Sequence, residues 1–189
     1  MPNYVSIEFA ASVLRGCDRI LVVGCSANGK STLSRNLSCN FGMPHISMDR
    51  EVLWKPGWVL RNRQEQREII AKLVQQDRWV MDGTNPSSLD IRLPRADLVI
   101  WTRMPRATAY YGLAKRCLRY RGEVRTDMAD GCPEQLPDLE FLSYIWNFEK
   151  NHAPKCIRGF DEFGPLTPVT ILKSHREARR FLELGASAR

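Results

Sequence analysis

Residues Gly24-Cys25-Ser26-Ala27-Asn28-Gly29-Lys30-Ser31 satisfy the pattern G-x-x-x-x-G-K-[ST] at every fixed position. The chemistry this spacing serves is anion binding. Backbone N–H groups and the positive end of a following helix converge on phosphate oxygens. Lys30 is then placed to reach β- and γ-phosphates, and the Ser31 hydroxyl to face Mg²⁺. Residues 24–32, ending at Thr32, are the expected site for ATP with Mg²⁺. Lys30 is also a catalytic candidate, because phosphoryl transfer is assisted mainly by fixed positive charge. Cys25 has two readings: a thiol made reactive by neighbouring N–H groups and Lys30, or a small residue contributing only its backbone.

Such a loop works only between a strand and a helix. Residues 19–23 form a short apolar run, as expected of a buried strand. Leu33, Leu37 and Phe41 then recur at i, i+4, i+8, and Gly42 and Pro44 end the segment. The same alternation continues. Four further strands are expected at 45–48, 78–81, 97–101 and 168–172, the second ending at Asp49 and the third at Asp82-Gly83. Helix starts are marked by Asn62 with Glu65, by Pro105, by Asp138, and by the Ser174–Glu177 capping box. A short helical turn is expected over 88–93, and residues 9–14 read as a first amphipathic helix rather than a leader. Residues 122–137 have little apolar content and read as a mobile flap. The pattern predicts one domain, a parallel sheet with helices on both faces.

In open sheets of this kind ligands sit beyond the carboxyl ends of the strands. Asp49 falls there, placed to orient a hydroxyl acceptor or take its proton, or simply to cap a helix. Asp82 is there too. It is a hard oxygen ligand for Mg²⁺ or a turn-forming residue, with Gly83 and Asn85 beside it on the substrate side. Arg116, Arg119, Arg121 and Arg125 belong to a basic stretch that reads as a phosphate clamp, a nucleic-acid patch or a solvated face. As a clamp, Arg116, Arg119 and Arg121 serve catalysis and Arg125 the substrate, joining when the flap closes and excludes water. Trp54, Trp58 and Arg61 follow Asp49, where the tryptophans either stack on a flat ligand or anchor their segment. Lys173, Ser174 and His175 lie beyond the last strand, where backbone groups would meet an adenine edge.

The 189 residues, 43% hydrophobic and 26% charged, suit a folded domain, and no apolar run approaches a membrane span. Six cysteines without a C-x-x-C pair argue against zinc and for a reducing, cytoplasmic setting. The net charge of +7 leaves an acidic partner open; no helix-turn-helix or zinc-finger pattern accompanies it.

Taken together, the phosphate loop, Met48-Asp49 with Trp54-x-Pro56-Gly57-Trp58, and Trp79-Val80-Met81-Asp82-Gly83 resemble the adenylate-kinase-related P-loop proteins. Within them the chain is most similar to the group labelled topology-modulation proteins. Arg119-Tyr120-Arg121-Gly122, Asp130-Gly131-Cys132-Pro133-Glu134 and Lys173-Ser174-His175-Arg176-Glu177 extend the likeness. The resemblance implies a three-layer α/β fold with a five-stranded parallel sheet. Counting the expected strands along the chain, their order is 2-3-1-4-5. It also implies an acceptor-binding insert at about 50–78, a lid at about 120–137, and arginines matching Arg116, Arg119 and Arg121 on the phosphates. The implied activity is MgATP-dependent phosphoryl transfer to a nucleotide or other small-molecule acceptor; the expected state is monomer or homodimer. Strict adenylate kinases carry Asp-Gly-Phe-Pro-Arg after the third strand. This chain has Asp82-Gly83-Thr84-Asn85-Pro86, with no arginine until Arg92. The alternative is an ATP-binding regulator or slow ATPase acting on DNA or a protein partner.

Overall fold

A computed structural model describes residues 1–187. Strand β2 (Arg19–Gly24) is buried from Ile20 onward and forms the middle of the sheet. It pairs in parallel with β6 (Trp79–Asp82) on one side and β7 (Leu98–Thr102) on the other. Beyond β6 lies β3 (His45–Ser47), and beyond β7 lies β8 (Val169–Leu172). The expected count of five strands is corrected to six. Tyr4–Val5 forms β1, which pairs with Val169 and Thr170, so the full order is β3-β6-β2-β7-β8-β1. Two residues are too few to show a periodic pattern; the free edge of β8 makes them a strand.

Alternation along the strands divides the core between two faces. Ile20, Val22, Val80, Leu98, Ile100 and Leu172 join Leu33, Leu37 and Phe181, under helices α1 (Ile7–Val13), α2 (Lys30–Phe41) and α8 (His175–Ser187). Leu21, Val23, Met81, Val99, Trp101 and Val169 face the opposite layer. That layer holds α3 (Arg63–Leu73), α4 (Leu89–Arg92), α5 (Arg106–Arg119), α6 (Leu139–Asn151) and α7 (Ala153–Phe163). Asn62 caps α3 through the Glu65 N–H at 2.9 Å and Asp138 caps α6 through the Phe141 N–H at 2.7 Å, as the sequence predicts. Leu118 of α5 and Trp146 of α6 are exposed.

Two irregular segments meet above the strand ends. After β3 the chain makes a wide helical turn over Met48–Leu53. It then forms an antiparallel hairpin of β4 (Trp54–Lys55) and β5 (Val59–Leu60). Trp58 sits at φ 62°, a left-handed conformation costly for a bulky residue. Residues 120–137, which include the expected mobile flap at 122–137, pack down on this hairpin. Met128, Ala129 and Cys132 are buried against Trp54 and Trp58. Gly57 N–H donates to the Gly131 carbonyl at 3.1 Å, and the Trp58 indole donates to the Pro133 carbonyl at 3.1 Å. No helix of the described residues is long and apolar enough to cross a membrane.

Candidate active site at the phosphate-binding loop

The loop between β2 and α2 is fixed by close backbone approaches. At Gly24, φ is 144° and a Cβ would meet Thr102 Oγ1 at 2.2 Å, so only glycine fits. Gly29, at φ 81°, starts α2. Between them Ala27 adopts φ 61°, and its carbonyl lies only 2.3 Å from where a Cβ on Gly112 of α5 would stand. Asn28 is buried and its amide donates to the Thr102 carbonyl at 3.3 Å. Gly24 N–H donates to Thr84 Oγ1 at 2.9 Å, tying the loop to the turn after β6. The result is a preformed cradle of amides at a helix start.

Lys30 Nζ donates to the Cys25 carbonyl at 2.8 Å. Burial lowers the pKa of this ammonium, while Asp82 and Asp49 oppose that by favouring the charged form. Burial pushes the Asp49 carboxyl up, Lys30 pulls it down, and Asp82 adds to the rise. Lys30, Asp49 and Asp82 therefore share one electrostatic neighbourhood at the mouth of the loop. Ser47 caps the turn that carries Asp49, accepting from the Arg50 N–H. Asp82 is 3% exposed; its Oδ2 lies 3.3 Å from His45 Nε2, poorly oriented, so neither buried atom has a hydrogen-bond partner. Gly83, at φ 134°, lets the chain pass Met48, whose Cβ would lie 2.4 Å from a Cβ at that position.

These residues fit a divalent ion bound together with phosphate. Asp82 Oδ2 is a buried oxygen without a hydrogen-bond partner, and Ser31 adds a hydroxyl at the helix start. No group of three or more His, Cys, Asp or Glu that could hold a metal occurs among the described residues. Mg²⁺ needs no such cage, because it keeps waters and uses one or two carboxylates plus substrate phosphates.

The arginines divide. Arg116 Nε and Arg125 Nε both donate to Glu134, at 2.7 and 2.8 Å, and Arg125 Nη1 reaches Asp127 at 3.1 Å. Arg119 and Arg121 are exposed; Arg119 lies against the Tyr120 ring at 5.3 Å. Trp54 and Trp58 stand edge to face at 5.2 Å and grip segment 120–137, while Arg61 donates to the Trp54 carbonyl and pairs with Glu65 at 3.4 Å. The Asn85 carbonyl accepts from Arg92 at 2.8 Å. Thr32 is exposed on α2. Beyond β8, Lys173 N–H and Ser174 join Glu177 in the capping box, and the His175 ring abuts Gly29. Cys25 is buried and burial raises its thiol to about 11, which removes the reactive-thiol reading at neutral pH.

Four residues at the site have no role in the sequence reading. Tyr144 of α6 packs among Phe141, Phe148 and His152, and burial raises its hydroxyl pKa, Cys25, Cys156 and Asp49 adding to the rise and a hydrogen bond with Ser26 opposing it. Helical spacing with Phe141 and Phe148 makes it indistinguishable from core. Arg92 is fully buried and donates to the carbonyls of Gly83, Thr84 and Asn85. Asp127 and Glu134 carry no recognisable motif; Arg125 is near both in sequence, but Ser47 and Arg35, which place Asp127 at the sheet end, lie 80 and more positions away.

No protein-family model matches the sequence, and no curated protein does. Solved structures do match. Shikimate kinase from Acinetobacter baumannii, in complex with shikimate, is 15% identical at a TM-score of 0.56, over 92% of this chain and 93% of that one. Shikimate kinase from Bacteroides thetaiotaomicron is 14% identical at 0.55, over 88% and 95%. The Aquifex aeolicus enzyme is 14% identical at 0.50, over 87% and 91%. This chain therefore has the α/β P-loop fold found in shikimate kinases.

Proposed function

We propose that the chain transfers the γ-phosphoryl group of ATP, with Mg²⁺, to a small-molecule or nucleotide acceptor. The observation that carries this reading is the charged trio at the loop mouth, half-buried Lys30 and Asp49 with buried Asp82. The loop amides and Lys30 hold the phosphates, and Ser31 and Asp82 hold the metal. The metal, when bound, draws charge from the transferring group. Asp49, its basicity raised by burial, accepts the acceptor hydroxyl proton as that oxygen bonds to phosphorus and the bond to ADP breaks. Residues 50–78 form the acceptor wall and 120–137 the lid; closure there excludes water. Trp54, Trp58, Arg61, Gly83 and Asn85 shape that wall. Arg116 and Arg125 face the phosphates once released from Glu134, and Arg119 and Arg121 join only if the lid shifts further. Lys173, Ser174 and His175 border the nucleotide beside Gly29. The tryptophan and Asp-Gly-Cys-Pro elements support placement near the topology-modulation proteins; the six cysteines without a C-x-x-C pair support a cytoplasmic setting, and the proposed state is monomer or homodimer.

The test is ADP release by purified protein over a panel of shikimate, nucleosides, nucleotides and sugars. One acceptor should raise turnover well above the water background; ATP binding with no stimulation across the panel would count against transfer. The exposed Lys115, Arg119 and Arg121, which make no ion pair among the described residues, favour a second reading. In it the chain is an ATP-binding regulator that contacts DNA or an acidic partner. It requires DNA affinity that falls steeply with salt.

A further inference from the structure

Ser47 and Asp82 are paired in register on adjacent strands, so their side chains emerge side by side at the sheet end. Ser47 Oγ donates to the Asp127 carbonyl at 2.8 Å, 80 positions along the chain. That bond draws segment 120–137 down onto the strand ends. It delivers the Asp127 side chain, from a residue only 7% exposed, to the start of α2. Arg125 holds the carboxylate at 3.1 Å and Arg35 of α2 lies 3.7 Å away. The Ser31 hydroxyl, at the start of α2, is within hydrogen-bonding reach of the same carboxylate.

Asp127 thus stands beside the hydroxyl expected to face the metal, while Asp82 Oδ2 waits nearby, buried and without a hydrogen-bond partner. Two carboxylates so placed repel a bare triphosphate. Of the cations there, Arg125 is shared with Glu134 and Lys30 with Asp49, and Arg35 lies 3.7 Å from Asp127. A divalent cation resolves the conflict. We infer that Asp127 is a third metal-side residue, its carboxylate orienting the Mg²⁺ of the bound nucleotide together with Ser31 and Asp82. The inference rests on the phosphoryl-transfer reading and adds that metal binding and seating of segment 120–137 are coupled.

Calorimetry of ADP with and without Mg²⁺, and electron paramagnetic resonance of Mn²⁺ titrated into the ADP complex, test this without turnover. In Asp127→Asn, Mn²⁺ affinity of the ADP complex should fall about 10-fold or more, as for outer-shell metal residues. Metal-free ADP affinity should hold or tighten. Unchanged Mn²⁺ affinity overturns the inference, and so does an equal loss of ADP affinity with and without metal, which marks a merely structural role. If Asp127→Asn does not fold, Ser47→Ala keeps both carboxylates and releases the Asp127 carbonyl together with the Arg50 N–H cap; a smaller loss of Mn²⁺ affinity is then expected, and none overturns the inference. Wild-type protein that takes up no ADP under either condition would instead remove the phosphoryl-transfer reading itself.

Discussion

Glu134 gives a quantitative test of how the arginines are held. Its side chain is 3% exposed and accepts from Arg116 at 2.7 Å and Arg125 at 2.8 Å. Removing one partner of a fully buried ion pair costs about 3–5 kcal/mol. Here the arginines retain 21% and 11% exposure, and Arg125 keeps Asp127 at 3.1 Å. The loss for Glu134→Ala is then about 2–3 kcal/mol. A domain of this size loses roughly 2–4 °C of Tm per kcal/mol, so melting should fall by about 4–12 °C. Scanning calorimetry reads this directly. Tripolyphosphate should restore more of the lost Tm in the variant than it adds to wild type, because two guanidiniums have been freed to face an anion. A drop of less than about 1 °C would mean that solvent screens the network. A full drop that no polyanion reverses would mean that the arginines do not face the phosphate site.

Three further outcomes are expected. Burial raises the folded-state pKa of Asp49, so its contribution to stability is present below the unfolded value and is lost as pH rises through the folded one. Asp49→Asn should therefore be more stable than wild type in urea at pH 7 to 8 and show no gain near pH 3. Its acceptor phosphorylation should fall by about 100-fold or more with ADP affinity largely kept, and undiminished transfer would remove Asp49 from the chemistry. Gly112→Ala sets a Cβ 2.3 Å from the Ala27 carbonyl, costing about 1–3 kcal/mol and displacing the loop. Calorimetric ADP affinity should drop about 10-fold, whereas equal affinity means α5 does not brace the loop. Because Cys25 is raised to about 11, iodoacetamide at pH 7 should label exposed Cys39 first, with Cys25 following only in alkali; peptide mapping that finds Cys25 labelled fastest at pH 7 contradicts its burial.

What the sequence discloses follows the range of the forces involved. The phosphate loop is legible because local backbone demands fix Gly24, Gly29 and Lys30 at set spacings. Helix caps at Asn62, Asp138 and Ser174 are equally local. Helix α7 is legible too, with Pro154 in its first turn and Ala153, Cys156 and Phe160 on one face. The reading nevertheless leaves that stretch unassigned. Segment 120–137 is different in kind. Its order comes from Ser47, Lys55 and Trp58, all more than 70 positions away, through bonds such as Ser47 to Asp127 and Cys132 Sγ to the Lys55 carbonyl. Composition alone makes such a stretch resemble a loose loop. For the same reason Arg116 and Arg125 read as free clamps, since nothing local announces Glu134 between them.

Arg92 has a consequence for how this architecture could change its chemistry. One guanidinium, its pKa pulled down to about 10 by burial yet still charged at neutral pH, fastens three successive carbonyls of the turn that carries Asp82. That side of the cleft is a stiff floor. Accommodation of a differently shaped partner molecule must then fall to the opposite wall, where a two-tryptophan hairpin is tethered by a few bonds and can be rebuilt without disturbing the floor. Evolution toward new acceptors should accumulate replacements around residues 54–61 and spare the arginine beneath.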